Sequence, residues 1–148
     1  MPFDSIFRPD LFAGETHIVT GGGSGIGRCT AHELGRLGAT VVLVGRKPER
    51  LAAVGAELAE AGVTAHALAC DIREEGQVRA MVTAALERTG RIDGLVNNAG
   101  GQFAAPLASI SQKGWETVVR TNLTGGFLCA RECYTQWMAD HGGAVVNI

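Results

Sequence analysis

The chain has 148 residues, a net charge of −2 and 46% apolar residues, enough for one domain with a core of its own but not for two. Acidic and basic residues are interspersed, which excludes the basic stripe of a nucleic-acid binder, and no apolar run approaches the roughly 20 residues that a membrane span needs. Glycine, at 21 against 4 prolines, points to tight turns and close backbone approaches rather than a disordered Pro/Gly tract.

The N-terminal stretch "MPFDSIFRPDLFAG" is broken by Asp4, Arg8 and Asp10. It lacks the apolar core of a secretory signal, and its two acids argue against an organelle transit peptide. Apolar runs then alternate with helical patterns. "THIVTGG" reads as a strand, and "IGRCTAHELGRLG" as a helix with Ile26, Thr30, Leu34 and Leu37 on one face, closed by Gly38. "ATVVLVG" is a continuous apolar strand of the kind buried on both faces. "KPERLAAVGAELAEAG" follows, with Pro48 near its first turn and Leu51, Val54, Leu58 and Ala61 on one face. "VTAHALACD" is a third strand, and "EEGQVRAMVTAALERTG" a third helix packing through Val78, Val82 and Ala85. "IDGLVNNAG" is a fourth strand, "SQKGWETVVRTNLTGGFLCARECYTQWMADHG" a long fourth helix, and "AVVNI" the start of a fifth, buried strand. Strands separated by helices cannot pair as hairpins. They predict an α/β fold: one doubly wound parallel sheet with right-handed crossovers over residues 1–148.

The cysteines are Cys29, Cys70, Cys129 and Cys133, with no C-x-x-C and no His at zinc-site spacing. No metal site is expected. Cys129 and Cys133, four apart on a helix, read as small core hydrophobes, and a reducing cytoplasm fits best.

"TGGGSGIG", Thr20 to Gly27, joins the first strand to the first helix. In such a sheet this is where a dinucleotide pyrophosphate rests on helix N–H groups. Gly21 permits the sharp turn, Gly25 the approach of the phosphates and Gly27 close helix–sheet packing, with Gly23, Ser24 and Ile26 completing the loop. There is no Gly-Lys-Ser/Thr, which excludes a P-loop NTPase. An NAD-binder usually has an acid at the end of the second strand. Here Gly45 is followed by Arg46 and Lys47, cations suited to a 2′-phosphate, so NADP(H) is the expected cofactor. The other reading makes them solvated loop charges. Asp71, with Ile72 beside it, ends the third strand, where it can accept from adenine or cap the next helix; position alone leaves both open. Asn122 falls on one face with Val118, Gly126 and Ala130, and an amide in that stripe should be hydrogen-bonded, for a functional role or simply to neighbouring backbone.

Thr20-Gly21-x-x-x-Gly25-x-Gly27, Asp71, "NNAG" at Asn97 to Gly100 and Asn122, in order from about Leu11 to Ile148, together resemble the short-chain dehydrogenase/reductase family and its Rossmann fold. Locally the chain is most similar to peroxisomal-type trans-2-enoyl-CoA reductases, and more distantly to 2,4-dienoyl-CoA and 3-oxoacyl reductases. The resemblance implies that Thr20 ties the phosphate loop to the "NNAG" segment and that Asp71 contacts adenine. It implies that Asn98, Ala99 and Gly100 line the crevice beside the adenine ribose, and that Asn122 is catalytic, holding a water in a proton relay. Gly125 and Gly126 would serve close packing between helices or subunits, and a homodimer or homotetramer is implied. The family's Ser and Tyr-x-x-x-Lys are expected beyond Ile148. Tyr134 is followed at four by Met138, so it is not that Tyr. The chain is therefore expected to be the N-terminal part of a longer single domain, inactive by itself. The expected function is NADP(H)-dependent hydride transfer to a carbonyl or an enoyl thioester, with acyl-CoA as one substrate class. The alternative is a non-catalytic NADP-binding or interaction protein, or an inactive fragment.

Overall fold

The computed structural model describes residues 6–148, so Asp4 lies outside the described residues. Five strands, β1 (Thr16–Thr20), β2 (Thr40–Gly45), β3 (Ala65–Ala69), β4 (Gly94–Asn97) and β5 (Ala144–Asn147), form one sheet among the described residues, ordered β3-β2-β1-β4-β5. Every neighbouring pair is parallel. Three helices cross between the first four strands: α1 (Gly25–Arg36), α2 (Pro48–Glu60) and α3 (Glu75–Thr89). The order reverses between β1 and β4, and that reversal opens a crevice at the strand C-termini.

The β1 and β2 side chains alternate between two cores. Val19, Val41 and Leu43 face α1 and α2, packing with Ala31, Leu51, Val54 and Leu58. Ile18, Val42 and Val44 face the other side, against Val78, Met81, Val82 and Ala85 of α3 and Leu128, Cys129 and Cys133 beyond. Burial pushes the Cys129 and Cys133 thiols up to about 12 and Cys70 up to about 11, so these three behave as core residues. Cys29 is exposed.

The fourth helix is a single rod whose hydrogen-bond pattern changes along its length. It starts as α4 (Gln112–Val118), capped by Ser111, whose Oγ accepts from the Gly114 N–H at 3.1 Å. It passes through a π-helical stretch, Val119–Gly125, into α5 (Gly126–Cys133), then a second π stretch, Tyr134–Met138, and closes as α6 (Ala139–His141). Buried Glu132 accepts from Arg131 at 2.9 Å and from Gln136 at 3.1 Å on its own helix, and the rod is tied to α3 by Arg79, 3.7 Å from Glu132, and by Arg131, which donates to Glu75 at 2.6 Å. No helix among the described residues is long and apolar enough to cross a membrane.

Three expectations need correction. Within α1 the fully buried residues are Gly27, Ala31 and Gly35; of the expected stripe Leu37 is buried just past the helix end and Leu34 packs against the core, but Ile26 is 62% exposed. Glycine carries no hydrophobic signal, yet it lets the helix sit against the sheet. Ala61 of the second helix is exposed, just past the end of α2. β5 pairs with β4 through Leu95↔Val145 and Val96↔Val146, yet it is exposed along its length, with Val146 at 53%. Gly125 and Gly126 pack within the chain. A Cβ on Gly125 would meet Ile72 Cδ1 at 2.7 Å, and the Gly126 carbonyl accepts from Asn97 Nδ2 at 3.1 Å.

Candidate functional site: a cleft at the strand ends

The loop from Thr20 to Gly25 turns sharply out of β1. Gly21 takes φ +69° with its Cα against the "NNAG" segment, where a Cβ would meet Asn98 Nδ2 at 2.7 Å and Ala99 Cα at 3.1 Å. The Gly22 N–H donates to the Val44 carbonyl at 3.2 Å, fastening the loop to β2. Gly25, at φ +53°, has nothing within 4 Å of its Cβ direction. Ser24 is extended at the head of α1, with its hydroxyl not used as a cap and no acid in the first turn. The positive end of α1 thus faces the open side of the loop.

Beyond the loop lies a cleft of about 640 Å³, walled by the loop, the ends of β2, β3 and β4, and the first turns of α4. Of the residues expected at a cofactor site, Gly21, Ser24, Gly25, Ile26, Arg46, Asp71, Ile72, Asn98, Ala99 and Gly100 all line it. Thr20, Gly23, Gly27 and Lys47 do not. Thr20 and Gly27 act beneath the surface: Thr20 is fully buried, and a Cβ on Gly27 would strike the Gly21 carbonyl and come within 2.5 Å of Asn98 Nδ2. Gly23 packs against α2, with Arg50 Cβ 3.1 Å from its Cβ direction. Lys47 is the N-cap residue of α2.

Asp71 neither caps α3, whose N-cap is Glu74, nor stands free. Its Oδ1 accepts from the Arg73 N–H at 3.1 Å and from Arg73 Nε at 2.9 Å, and its Oδ2 accepts from the same guanidinium. Those hydrogen bonds hold the Asp71 carboxyl down at about 2. Arg73 escaped the sequence reading, although its place two residues after a strand-end acid was a usable signal. Also unforeseen as lining are Gln102, Phe103, Lys113, Thr117 and Thr121. The Phe103 ring lies on Gly114, where a Cβ would be 2.8 Å away, and brings the loop after β4 onto α4.

Asn122 lies in the π-helical stretch, is exposed, and is hydrogen-bonded to neighbouring backbone. Its Oδ1 accepts from the Gly101 N–H at 2.9 Å and its Nδ2 donates to the Gly101 carbonyl at 3.1 Å. The wider π turn rotates the face: Val118 lines the cleft, whereas Asn122, Gly126 and Ala130 line an adjoining cavity of about 450 Å³. Ala99 and Gly100 border both spaces. That second cavity also receives Asn97, Leu123, Phe127 and Asn147.

The family model described as "short chain dehydrogenase" matches residues 15–148. A peroxisomal 2,4-dienoyl-CoA reductase of Danio rerio is 35% identical over 99% of this chain and 49% of its own length. Among solved structures, a citronellol catabolism dehydrogenase of Pseudomonas aeruginosa PAO1 is 61% identical, with a TM-score of 0.94 over 98% of this chain and 59% of that one. An actinorhodin polyketide ketoreductase solved with NADPH is 40% identical, with a TM-score of 0.87 over 90% of this chain and 52% of that one. The chain spans about half the length of the curated relatives it matches.

Proposed function

The chain belongs to the short-chain dehydrogenase family, and from that membership we propose that it carries the cofactor cleft of an NADP(H)-dependent oxidoreductase. One observation supports the cofactor most directly. Arg46 lines the cleft at the end of β2, and the one carboxylate among the described lining residues, Asp71, is already paired with Arg73. The open space at Gly25, beside the N-terminus of α1, fits a diphosphate. The ketoreductase solved with NADPH is consistent with this choice.

When bound, NADPH supplies a hydride to an electrophilic carbon, a carbonyl or the β-carbon of an enoyl thioester. In this reading Gly21, Gly25 and the first turn of α1 receive the diphosphate, and Arg46 receives the 2′-phosphate. Asp71 and Ile72 meet the adenine, and Asn98, Ala99 and Gly100 border the ribose. Asn122 sets the Gly100–Gly101 backbone between the two cavities and holds a water for proton relay. Tyr134 is 60% exposed and lines neither cavity, so it is not the proton donor. A homodimer or homotetramer and a cytoplasmic location complete the proposal, the latter in keeping with free thiols.

Two substrate classes are proposed: acyl-CoA thioesters, in line with the dienoyl-CoA reductase relative, and compounds of citronellol catabolism such as citronellol itself, in line with the relative at 61% identity. The test measures NADPH and NADH binding by the full-length protein, its turnover of trans-2-enoyl-CoA and 3-oxoacyl-CoA with the reduced cofactors, and its oxidation of citronellol with NADP+ or NAD+ as hydride acceptor. Preference for NADPH that Arg46→Asp abolishes, with turnover of one class, supports the reading. NADPH binding without turnover of any of them favours a non-catalytic binder, and NADPH affinity unchanged in Arg46→Asp overturns the cofactor assignment.

A further inference from the structure

The strand ends place an acid beside the cation assigned to the 2′-phosphate. Gly45 pairs with Ala69, and the Cys70 N–H donates to the Gly45 carbonyl at 2.9 Å. Arg46 and Asp71 therefore leave the sheet as neighbours, and both line the cleft. An acid and a guanidinium so placed would ordinarily bind one another, and a paired Arg46 would have to be released before it could hold a phosphate. They are not paired. Asp71 is engaged instead by the chain two residues on: the Arg73 N–H donates to its Oδ1 at 3.1 Å, as in an Asx turn. The Arg73 guanidinium then spans both carboxylate oxygens. Among the described residues Arg46 makes no ion pair. The Asp71 and Arg73 side chains are only 20% and 29% exposed, so water screens their pairing incompletely.

We propose that Arg73 is a positioning residue for cofactor specificity: by engaging Asp71 it leaves Arg46 free for the 2′-phosphate that distinguishes NADP(H) from NAD(H). This rests on the NADP(H) reading above. Arg73 is then a partner of Asp71 rather than a phosphate ligand, and its removal should act only while the Asp71 charge is present.

The experiment is calorimetric titration of the full-length protein with adenosine 2′,5′-bisphosphate and with 5′-AMP, ligands that differ only by the 2′-phosphate. Arg73→Met is expected to lower the affinity ratio between the two roughly tenfold, chiefly through the bisphosphate. Adding Asp71→Asn to that variant is expected to restore most of the ratio, because Arg46 again has no acid to pair with. Arg73→Lys should fall between wild type and Arg73→Met. An unchanged ratio in Arg73→Met overturns the proposal, as does equal loss of both ligands. Failure of Asp71→Asn to restore the ratio also overturns it and assigns Arg73 a direct phosphate contact. Should Arg73→Met not fold, Asp71→Asn alone decides: a ratio held or raised is expected, and a fall is contrary. A wild-type protein that binds both ligands equally refutes the NADP(H) reading itself, without recourse to any variant.

Discussion

Thr20 and Asn98 hold each other at two points: the Asn98 N–H donates to Thr20 Oγ1 at 3.0 Å, and Asn98 Nδ2 donates to the Thr20 carbonyl at 2.9 Å. The same hydroxyl accepts from the Ala99 N–H at 3.0 Å and donates to the Val96 carbonyl at 3.2 Å. A fully buried hydroxyl thus uses its whole hydrogen-bonding capacity to join the ends of β1 and β4, where the cleft opens. Thr20→Val preserves shape but strands the Ala99 N–H and leaves the Asn98 N–H only its 3.1 Å bond to the Val96 carbonyl. It should destabilise the protein by about 2–3 kcal/mol in urea unfolding. Thr20→Ser keeps the hydroxyl and should lose less than about 1.5 kcal/mol, the scale of one buried methyl. A larger loss in Thr20→Ser than in Thr20→Val would place the contribution in the methyl group instead.

Gly27 and Gly25 are two residues apart and should fail in different ways. A Cβ on Gly27 collides with the Gly21 backbone and with Asn98 Nδ2, inside the junction just described. Gly27→Ala should therefore lower thermal stability, by about 1–3 kcal/mol for overpacking. A Cβ on Gly25 meets nothing within 4 Å, and the penalty is left-handed backbone at φ +53°, about 1–2 kcal/mol. That side chain would project where the diphosphate is proposed to lie. Gly25→Ala should thus weaken NADPH binding by more than its loss of stability accounts for. Matched effects of the two variants on melting and on binding would contradict this division.

The parallel order of strands was legible because apolar runs without alternation, separated by helical periodicity, admit few other arrangements. The phosphate loop was legible for a similar reason: Gly21 and Gly25 have positive φ, and few other residues tolerate that. The buried face of α1 was not, because Gly27 and Gly35 contribute by having no side chain. The partner of Asp71 was missed because an i, i+2 ion pair at a strand end has no periodic signature. Asn122 was read on one face with Val118, Gly126 and Ala130 at i+4 spacing; its hydrogen bonding to neighbouring backbone was legible that way, but the π stretch Val119–Gly125, which parts Val118 from the other three, was not.

The Asp71–Arg73 pair carries a pH signature. The Arg73 hydrogen bonds lower the Asp71 carboxyl from its ordinary 3.8 to about 2. A folded-state value below the unfolded one means that the ionised form favours folding. That contribution is fully present above the ordinary value and is lost as pH falls through about 2. The stability difference between wild type and Asp71→Asn should therefore be constant at neutral pH and shrink on acidification through this window. Urea unfolding of both proteins over a pH series measures it. A difference that stays constant down to the acid limit would mean that the pair contributes nothing to folding.

Asn122 holds the Gly101 peptide by both its donor and its acceptor, at 2.9 and 3.1 Å, from a helix turn widened by π-type bonding. Because Asn122 is exposed, its removal should affect global stability little, by about 1 kcal/mol or less. The local effect should be larger, since this two-point contact fixes the backbone between the two cavities. In Asn122→Ala, amide exchange at Gly101 should accelerate roughly tenfold or more while the sheet amides stay protected. NADPH affinity should fall in parallel, because Ala99 and Gly100 border the cleft. Asn122→Asp retains the acceptor for the Gly101 N–H but turns a second oxygen toward the Gly101 carbonyl, so it should behave like the alanine variant. Unchanged Gly101 exchange with collapsed turnover would show that Asn122 acts in proton relay alone; accelerated exchange with matching loss of affinity would show that it acts by holding the loop.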